Sequence, residues 1–298
     1  MHSENPFNKE YNFNGLIQSH PKLSEFIILG KSDRKSINFG DSEAIIALNT
    51  ALLKRTYDVN WELKPGHLCP ALPGRLDYLI HVKDLLGGPP EKPISMLDIG
   101  TGASLIYPLL ATAAFDWNCT ASEVALDSLE FAEKLLSLNP NLKTTILRSQ
   151  RFKSKVFHHV VEKNDYFDVV VCNPPFYKTQ SEAEERNIRK NKNLHNTASI
   201  AHNFGGHSNE LWYKGGEEAF IKIMATESAS YKSQVGWFTC LISKSEHVKT
   251  LKRYVRKAKP AEVRVVEMEQ GNKKSRFIAW TFNTPGEWVR KQTTPYTE

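Results

Sequence analysis

The stretch MLDIGTGASLIYPLLA, Met96 to Ala111, predicts a strand, a glycine-rich turn and a helix in that order. Gly100 and Gly102 let the backbone of the turn approach a ligand, because glycine adds no side-chain bulk there. Two glycines match the signature of dinucleotide-binding proteins, but Leu105 stands where that signature has its third small residue. The turn therefore predicts a ligand site, and it favours a ligand without a pyrophosphate.

Strand-like and helix-like runs alternate from about residue 71 onward, which predicts an α/β fold with a mostly parallel sheet covered by helices. Seven strands are predicted, which are ISMLDIG, NCTASEV, TTILRS, YFDVVVCN, VGWFTCLIS, AEVRVVEM and RFIAWTFN. The last two are joined only by EQGNKKS, which is too short for a helical crossover. We therefore expect a seven-stranded, Rossmann-like sheet that ends in an antiparallel C-terminal hairpin.

The beginning of the chain follows another pattern, in which helical stretches such as DSEAIIALNTALLKRTY alternate with polar, proline-containing loops. We therefore predict a small, mainly helical accessory segment, residues 1–70, and a main domain, residues 71–298. Within the main domain, the interval 178–216 is long, polar and rich in Asn, Gly and charged residues. Long loops of this kind are usually functional or disordered. We expect a substrate-facing loop that orders on binding, with plain disorder as the alternative.

Glu123 ends the second predicted strand of the main domain, 23 residues after Gly100. In a βαβ unit, an acidic residue about 20 residues beyond the glycine turn accepts hydrogen bonds from ribose hydroxyls. S-adenosylmethionine has a ribose and no pyrophosphate, so Glu123 and the turn together favour it as the cofactor. Asp98 would order the turn or contact the amino-acid end of this cofactor. The alternatives are an exposed loop glutamate and an aspartate that only caps the turn.

A second motif, DVVVCNPPFYKTQ, begins as a buried strand and ends in an amide, two prolines and two aromatic residues. Proline lacks an N–H and fixes φ, so Pro174 and Pro175 stop the strand and hold the neighbouring carbonyls in one direction. The side-chain oxygen of Asn173 and the main-chain oxygen of Pro174 can each accept a hydrogen from an exocyclic NH₂ group, while Phe176 can stack on the attached base. Two such acceptors can hold an aryl amine with its lone pair toward an activated methyl group. A simple Asn-Pro turn is the alternative.

The composition is that of a globular protein, with 40% hydrophobic and 24% charged residues among 298. No apolar run approaches the roughly 20 residues needed to cross a bilayer. The start, MHSENPFNKEYNF, has no secretory or mitochondrial targeting pattern, so we expect a cytoplasmic protein. The cysteines are far apart and form no CxxC pair, which predicts buried thiols rather than disulfides or zinc ligands. Neither a membrane nor a metal is an expected partner.

The net charge of +6 is compatible with a polyanionic partner. Much of it lies after residue 240, where the sequence has thirteen Lys and Arg but only six Asp and Glu. As a helix, the stretch SEHVKTLKRYVRKAK would bury Val248, Leu251, Tyr254 and Val255. Five cations would then lie largely outside, namely Lys249, Lys252, Arg253, Arg256 and Lys257. This face is either a solvated helix surface or a phosphate-binding stripe.

The strings DIGTGASLIYPLL and NPPF resemble a family of RNA adenine-N6 methyltransferases that contains a bacterial 23S ribosomal RNA enzyme and a eukaryotic small nuclear RNA enzyme. ALNTALLK, PGRLDYLIHVKDLL, GGEEAFIKIM and RFIAWTF are also similar to family segments, so the resemblance covers most of the chain. The first string is the more diagnostic, since many amine methyltransferases share NPPF. The resemblance implies a class I methyltransferase fold, cofactor contacts at Arg75, Gly100 and Glu123, and a target amine at 173–176. Through it, Arg75 is expected to pair with the methionine carboxylate of the cofactor.

The resemblance implies an enzyme that methylates N6 of one adenine in 23S ribosomal RNA, because nothing like the eukaryotic C-terminal RNA-binding domain follows TFN. We expect a monomer whose partner is 23S RNA or a ribosome assembly intermediate, with the N-terminal segment facing the RNA. A protein glutamine methyltransferase is an alternative, which the basic charge and the resemblance disfavour. A non-catalytic RNA-binding assembly factor is a second, which the intact NPPF disfavours. A nucleotide-dependent oxidoreductase is a third, which Leu105 disfavours.

Overall fold

The computed structural model describes residues 1–30, 33–87, 92–142, 145–182, 212–270 and 273–284. The α-helices of these residues are α1 (Phe13–Ser19), α2 (Ser42–Tyr57), α3 (Leu72–Leu86), α4 (Ile106–Phe115), α5 (Leu126–Ser137), α6 (Gly216–Ser228) and α7 (Val248–Lys257). The strands are β1 (Ile27–Leu29), β2 (Lys35–Ile37), β3 (Ser95–Ile99), β4 (Asn118–Glu123), β5 (Thr145–Ser149), β6 (Phe167–Cys172), β7 (Val235–Ile242), β8 (Glu262–Gln270) and β9 (Lys273–Thr281).

The central sheet has seven strands in the order β5-β4-β3-β6-β7-β9-β8. Strands β5, β4, β3, β6 and β7 are parallel to one another, and β9 is antiparallel to its neighbours β7 and β8. The predicted Rossmann-like sheet with an antiparallel C-terminal hairpin is therefore confirmed. The carboxyl ends of β4, β3 and β6 lie side by side, because Ile99 pairs with Ser122 on one side and with Cys172 on the other.

Helices cover both faces of the sheet, which explains the run of three valines in β6. Val169 and Val171 belong to a buried cluster with Met96, whereas Val170 belongs to a second cluster with Leu97. Successive side chains of a strand point to opposite faces, so a strand buried on both faces carries an uninterrupted apolar run. The second cluster also contains the apolar side chains of α6 and α7.

The N-terminal residues pack directly against the sheet domain. Leu16, Leu23 and Leu53 lie in the same buried cluster as Met96. Asn139, just after α5, is bonded to the backbone of residue 60 in both directions, with distances of 2.8 Å from Asn60 N to Asn139 Oδ1 and from Asn139 Nδ2 to Asn60 O. The boundary at residue 70 and the RNA-facing role of the first segment stay predictions.

The predicted amphipathic helix near the C-terminus is confirmed as α7. Its residues Leu251 and Val255 are fully buried, and the predicted outer cations lie at the surface, fully or in part. The four cysteines are free and buried, as predicted. No helix in the described parts of the chain has the length and apolar character required to cross a membrane. The predicted substrate loop, 178–216, falls mostly outside the described residues, which include only 178–182 and 212–216 of it.

Candidate ligand and substrate site

One cavity of about 220 Å³ lies at the carboxyl ends of β3, β4 and β6. Both predicted sites contribute to its wall, the glycine turn and Glu123 from one direction and Asn173 from the other. Parallel sheets place ligand sites beyond the carboxyl ends of their strands, and here these three strands are adjacent. Two motifs that are about 70 residues apart in the sequence therefore face one space.

The glycine turn begins at the end of β3 with Gly100 at a φ of +72°, in the left-handed region that glycine adopts without strain. The backbone N–H groups of Gly100 and Thr101 both donate to the carbonyl oxygen of Ser122, at 2.9 and 3.0 Å. A Cβ atom on Gly100 would meet no atom within 4 Å, so the missing side chain leaves open space at the cavity wall. Leu105, the departure from the dinucleotide signature, is fully buried at the start of α4.

Glu123 is held in place by the backbone around it. Its Oε1 accepts hydrogen bonds from the N–H groups of Val124 and Ala125, at 2.6 and 3.0 Å, and its Oε2 accepts one from Gly102 at 3.0 Å. The side chain is almost fully buried and lines the cavity. Three N–H donors stabilise a carboxylate and fix its direction, as a ribose-binding acid requires.

Asp98 lies behind the turn and is completely buried. Neither of its carboxyl oxygens has a hydrogen-bond partner among the residues that the structure describes. The pKa of Asp98 is raised to about 7, mainly by burial and in smaller part by the charge of Glu123, whereas Thr101 and the Arg75 guanidinium act in the opposite direction. A buried carboxyl group without partners is costly, so this position suits a ligand that brings a cation or hydrogen-bond donors.

Arg75, on α3, also lines the cavity. Its Nη1 donates to the hydroxyl of Tyr107 at 2.8 Å, and its guanidinium carbon lies 5.6 Å from the centre of the same ring. Its Nε is buried and has no hydrogen-bond partner within the described part of the chain. The orphaned donor of Arg75 and the orphaned acceptors of Asp98 are complementary to a ligand that carries both an acid and an amine.

The NPPF motif follows β6 directly. Asn173, Pro175 and Phe176 line the cavity, and Pro174 is buried. The Oδ1 atom of Asn173 is buried and accepts no hydrogen bond from any described residue. Such an acceptor costs about 1–3 kcal/mol when it is left unmet, which favours a ligand with an N–H donor at this point. Phe176 is half-buried, so its ring stays accessible from the cavity.

The rest of the wall includes residues that the sequence analysis missed. Lys153 and Gln150 come from the loop after β5, and the Lys153 ammonium lies 5.7 Å from the ring centre of Trp212. Trp212 itself is paired with Tyr177, next to NPPF. Leu68 and Pro70, at the end of the N-terminal segment, also line the cavity. Gln150 and Lys153 both follow a strand that neighbours β4, and no residue pattern marked either of them individually.

Among the residues that the structure describes, no group of His, Cys, Asp and Glu side chains has an arrangement suited to a metal ion. The wall of the cavity instead includes the orphaned acceptor of Asn173, the arginine and the half-buried ring of Phe176, and the orphaned carboxyl group of Asp98 lies buried at the base of the glycine turn. This set can hold a polar, partly cationic small molecule beside a planar amine.

Comparison with known proteins places this chain in a family. Residues 1–284 match the model of a family described as RNA methyltransferase. The chain is 41% identical to the Ribosomal RNA large subunit methyltransferase F of Colwellia psychrerythraea, over 95% of this chain and 99% of that protein. It is 42% identical to the protein of the same name from Saccharophagus degradans, over 95% of each chain.

Solved structures of human METTL16 are similar over nearly the whole chain. The catalytic domain in complex with the MAT2A 3'UTR hairpin 1 matches with a TM-score of 0.81 and 29% identity, covering 96% of each chain. The N-terminal domain in complex with SAH matches with a TM-score of 0.77 and 26% identity, covering 95% of this chain and 99% of that one.

Proposed function

Since the chain belongs to the RNA methyltransferase family, we propose that it transfers a methyl group from S-adenosylmethionine to N6 of one adenine in 23S ribosomal RNA. The names of its bacterial relatives support the large ribosomal RNA as the substrate. The SAH complex of METTL16 supports the cofactor, since SAH is what S-adenosylmethionine becomes when it loses its methyl group. The NPPF motif supports an amine as the acceptor of that methyl group.

The observation that carries the proposal is the orphaned Oδ1 of Asn173 in the same cavity as Glu123 and the glycine turn. A site for the cofactor alone would need acceptors only for the cofactor's own N–H and O–H groups. A further unmet acceptor in the same cavity wall as the ring of Phe176 favours a second ligand with an N–H group and a planar ring. The exocyclic amine of adenine meets both requirements.

The cofactor would lie along the part of the cavity that the glycine turn and Glu123 line. We assign Glu123 to the ribose hydroxyls, because three N–H groups hold its carboxylate toward the cavity. Gly100 and Gly102 leave room for the backbone of the turn to approach the cofactor. Arg75 would pair with the methionine carboxylate, and Asp98 with the ammonium group beside it. Both residues have buried polar atoms that meet no partner among the described residues.

The target adenine would enter the part of the cavity that Asn173, Pro175 and Phe176 line. Asn173 Oδ1 and the main-chain oxygen of Pro174 would each accept one hydrogen of the amine, which turns its lone pair toward the cofactor. Pro175 keeps this backbone rigid, and Phe176 would stack on the base. When bound, S-adenosylmethionine supplies a methyl group that its sulfonium already activates. The residues therefore act by orientation and electrostatics, and the proton of the amine can leave after the transfer.

One experiment tests the activity and separates it from its alternatives. The protein is incubated with labelled S-adenosylmethionine and with naked 23S RNA, partly assembled large-subunit particles or total protein. Nucleoside and peptide mass spectrometry then locate the label. Label on N6 of one adenine, absent with Asn173→Ala, is the expected result. Label on glutamine would replace the proposal with protein methylation, and no label on any substrate, with the RNA still bound, would indicate a non-catalytic assembly factor.

A further inference from the structure

The outer face of α7 carries a stripe of cations that the proposed active site does not use. Its exposed members lie on one side of the helix, because 3.6 residues per turn place them within an arc of about 100°. These residues are Lys249, Arg253, Arg256 and Lys257. Together with Thr250 they line a shallow groove. Lys252 is half-buried beside them. Leu251 and Val255 anchor the opposite side of the helix in the core.

The cations of this stripe lie together without acidic partners, unlike many cations elsewhere on the described surface. Many of those lie in ion pairs, such as Lys64 with Asp127 at 2.7 Å and Lys83 with Glu4 at 2.5 Å. No side chain of the five α7 cations forms an ion pair or a hydrogen bond with any other residue that the structure describes. No acidic residue occurs between Glu246 and Glu262 to balance them.

An ordinary solvated helix would have a different charge pattern. Like charges four residues apart destabilise a helix, and α7 has three such pairs: Lys249 with Arg253, Lys252 with Arg256 and Arg253 with Lys257. Acidic residues at some of these positions would convert the repulsion into attraction. The adjacent helix adds a further cation, since the Lys222 ammonium lies 5.6 Å from the ring of Tyr254 on α7. The stripe therefore fits a polyanion that binds from outside.

Helix α6 connects the start of α7 to the wall of the cavity. Glu217, in the first turn of α6, accepts a hydrogen bond from the N–H of Ser243 at 2.7 Å and contacts Nδ1 of His247 at 2.9 Å. His247 immediately precedes α7, and Phe220, one turn further along α6, lines the cavity. The helix thus starts near the carboxyl edge of the sheet, and its ten residues extend away from that edge over about 15 Å.

We propose that the outer face of α7 binds backbone phosphates of the RNA that flanks the target adenine. The inference rests on the proposed function, because that function supplies the polyanion. Contacts to phosphates hold and orient the RNA without reading its sequence. A base that enters the cavity must leave its stack. Contacts to the phosphates beside it help to hold the strand in this unstacked conformation.

A matched pair of double variants tests this surface. Lys249→Gln/Lys257→Gln removes two cations from α7, and glutamine keeps the helix propensity of lysine. Lys163→Gln/Lys232→Gln removes the same charge from two exposed lysines that precede β6 and β7, at the opposite edge of the sheet. Binding to naked 23S RNA is measured at salt concentrations from about 0.05 to about 0.5 M, because contacts between cations and phosphates dissociate in this range.

The α7 variant should bind the RNA roughly tenfold more weakly at low salt, and the slope of log Kd against log salt should fall by about 1.5, since each lost phosphate contact contributes about 0.7–0.9. The affinity for S-adenosylmethionine should stay unchanged. Equal RNA affinities and slopes for both doubles would overturn the inference, even if the wild-type enzyme methylates 23S RNA. A wild-type enzyme that binds the RNA through α7 but methylates no adenine would instead refute the proposed function alone.

Lysine acylation of the wild-type protein gives a second measurement that needs no variant. Bound 23S RNA should protect Lys249 and Lys257 from an acylating reagent, as mass spectrometry of the peptides can show. Lys163 and Lys232 should react equally with and without RNA. Equal reactivity of all four lysines in the complex would contradict the inference.

Discussion

The backbone N–H of Gly102 donates a hydrogen bond to Oε2 of Glu123 across 3.0 Å, and this bond joins the glycine turn after β3 to the carboxyl end of β4. Two further N–H groups, of Val124 and Ala125, hold the other oxygen. The turn and the acid therefore form one unit. A change in Glu123 acts on the shape of the turn as well as on any group that the carboxylate binds.

Glu123→Gln should weaken S-adenosylmethionine binding by about 10-fold or more, because an amide presents an NH₂ group to at least one of the N–H donors and leaves it unpaired at a cost of about 1–3 kcal/mol. Calorimetry of cofactor binding measures the loss. Glu133→Gln, at an exposed position of α5, is the control with the same chemical change. An unchanged cofactor Kd in Glu123→Gln would exclude this residue from the cofactor site.

Asp98→Asn should remove a pH dependence of stability. Burial raises the pKa of Asp98 from 3.8 to about 7, so between these values the folded chain binds a proton that the unfolded chain has lost. The contribution of this group to the free energy of unfolding is complete below about pH 4 and is lost as pH rises to about 7, by at most about 1.4 kcal/mol per pH unit. Urea unfolding from pH 4.5 to 7.5 measures it. Wild-type and variant curves that stay parallel would contradict this assignment.

Much of the site followed from the sequence because its parts sit at strand ends. A run such as Val169–Cys172 marks a buried strand, parallel strands share one carboxyl edge, and so the motif after β6 had to lie near the turn after β3. The spacing from Gly100 to Glu123 likewise selected the neighbouring strand. These inferences use only short-range patterns and the topology of an α/β sheet.

The missed parts depend on contacts between distant segments. Trp212 reaches the cavity through its pairing with Tyr177, and no local pattern indicates that pairing. The contribution of Leu68 depends on how the N-terminal segment packs against the sheet domain. The complete burial of Asp98 was also not apparent, since the sequence left open whether it caps the turn. Such features are set by tertiary packing, which periodicity does not encode.

Asn173→Ala should lower kcat by about 100- to 1,000-fold, as the loss of one group that stabilises the transition state does in other enzymes. The cofactor affinity should stay within about twofold, because Asn173 is proposed to hold the target amine and not the cofactor. Single-turnover methylation and calorimetry measure the two quantities. Asn173→Asp keeps an acceptor and should retain more activity than Asn173→Ala. Near-normal turnover by Asn173→Ala would rule out its role in positioning the amine.

Phe176→Ala should raise the KM for RNA and lower kcat, because stacking on an aromatic side chain contributes about 1–3 kcal/mol for each base, or roughly 5- to 150-fold. Phe39→Ala removes a ring of the same kind that is 61% exposed and far from the cavity in sequence, and it should change neither constant. Phe176→Trp preserves a stacking surface, whereas Phe176→Leu preserves only apolar bulk. If stacking is the role of this ring, the tryptophan variant retains most of the activity and the leucine variant resembles alanine. Equal activity of the leucine and tryptophan variants would mean that Phe176 only fills space behind the substrate.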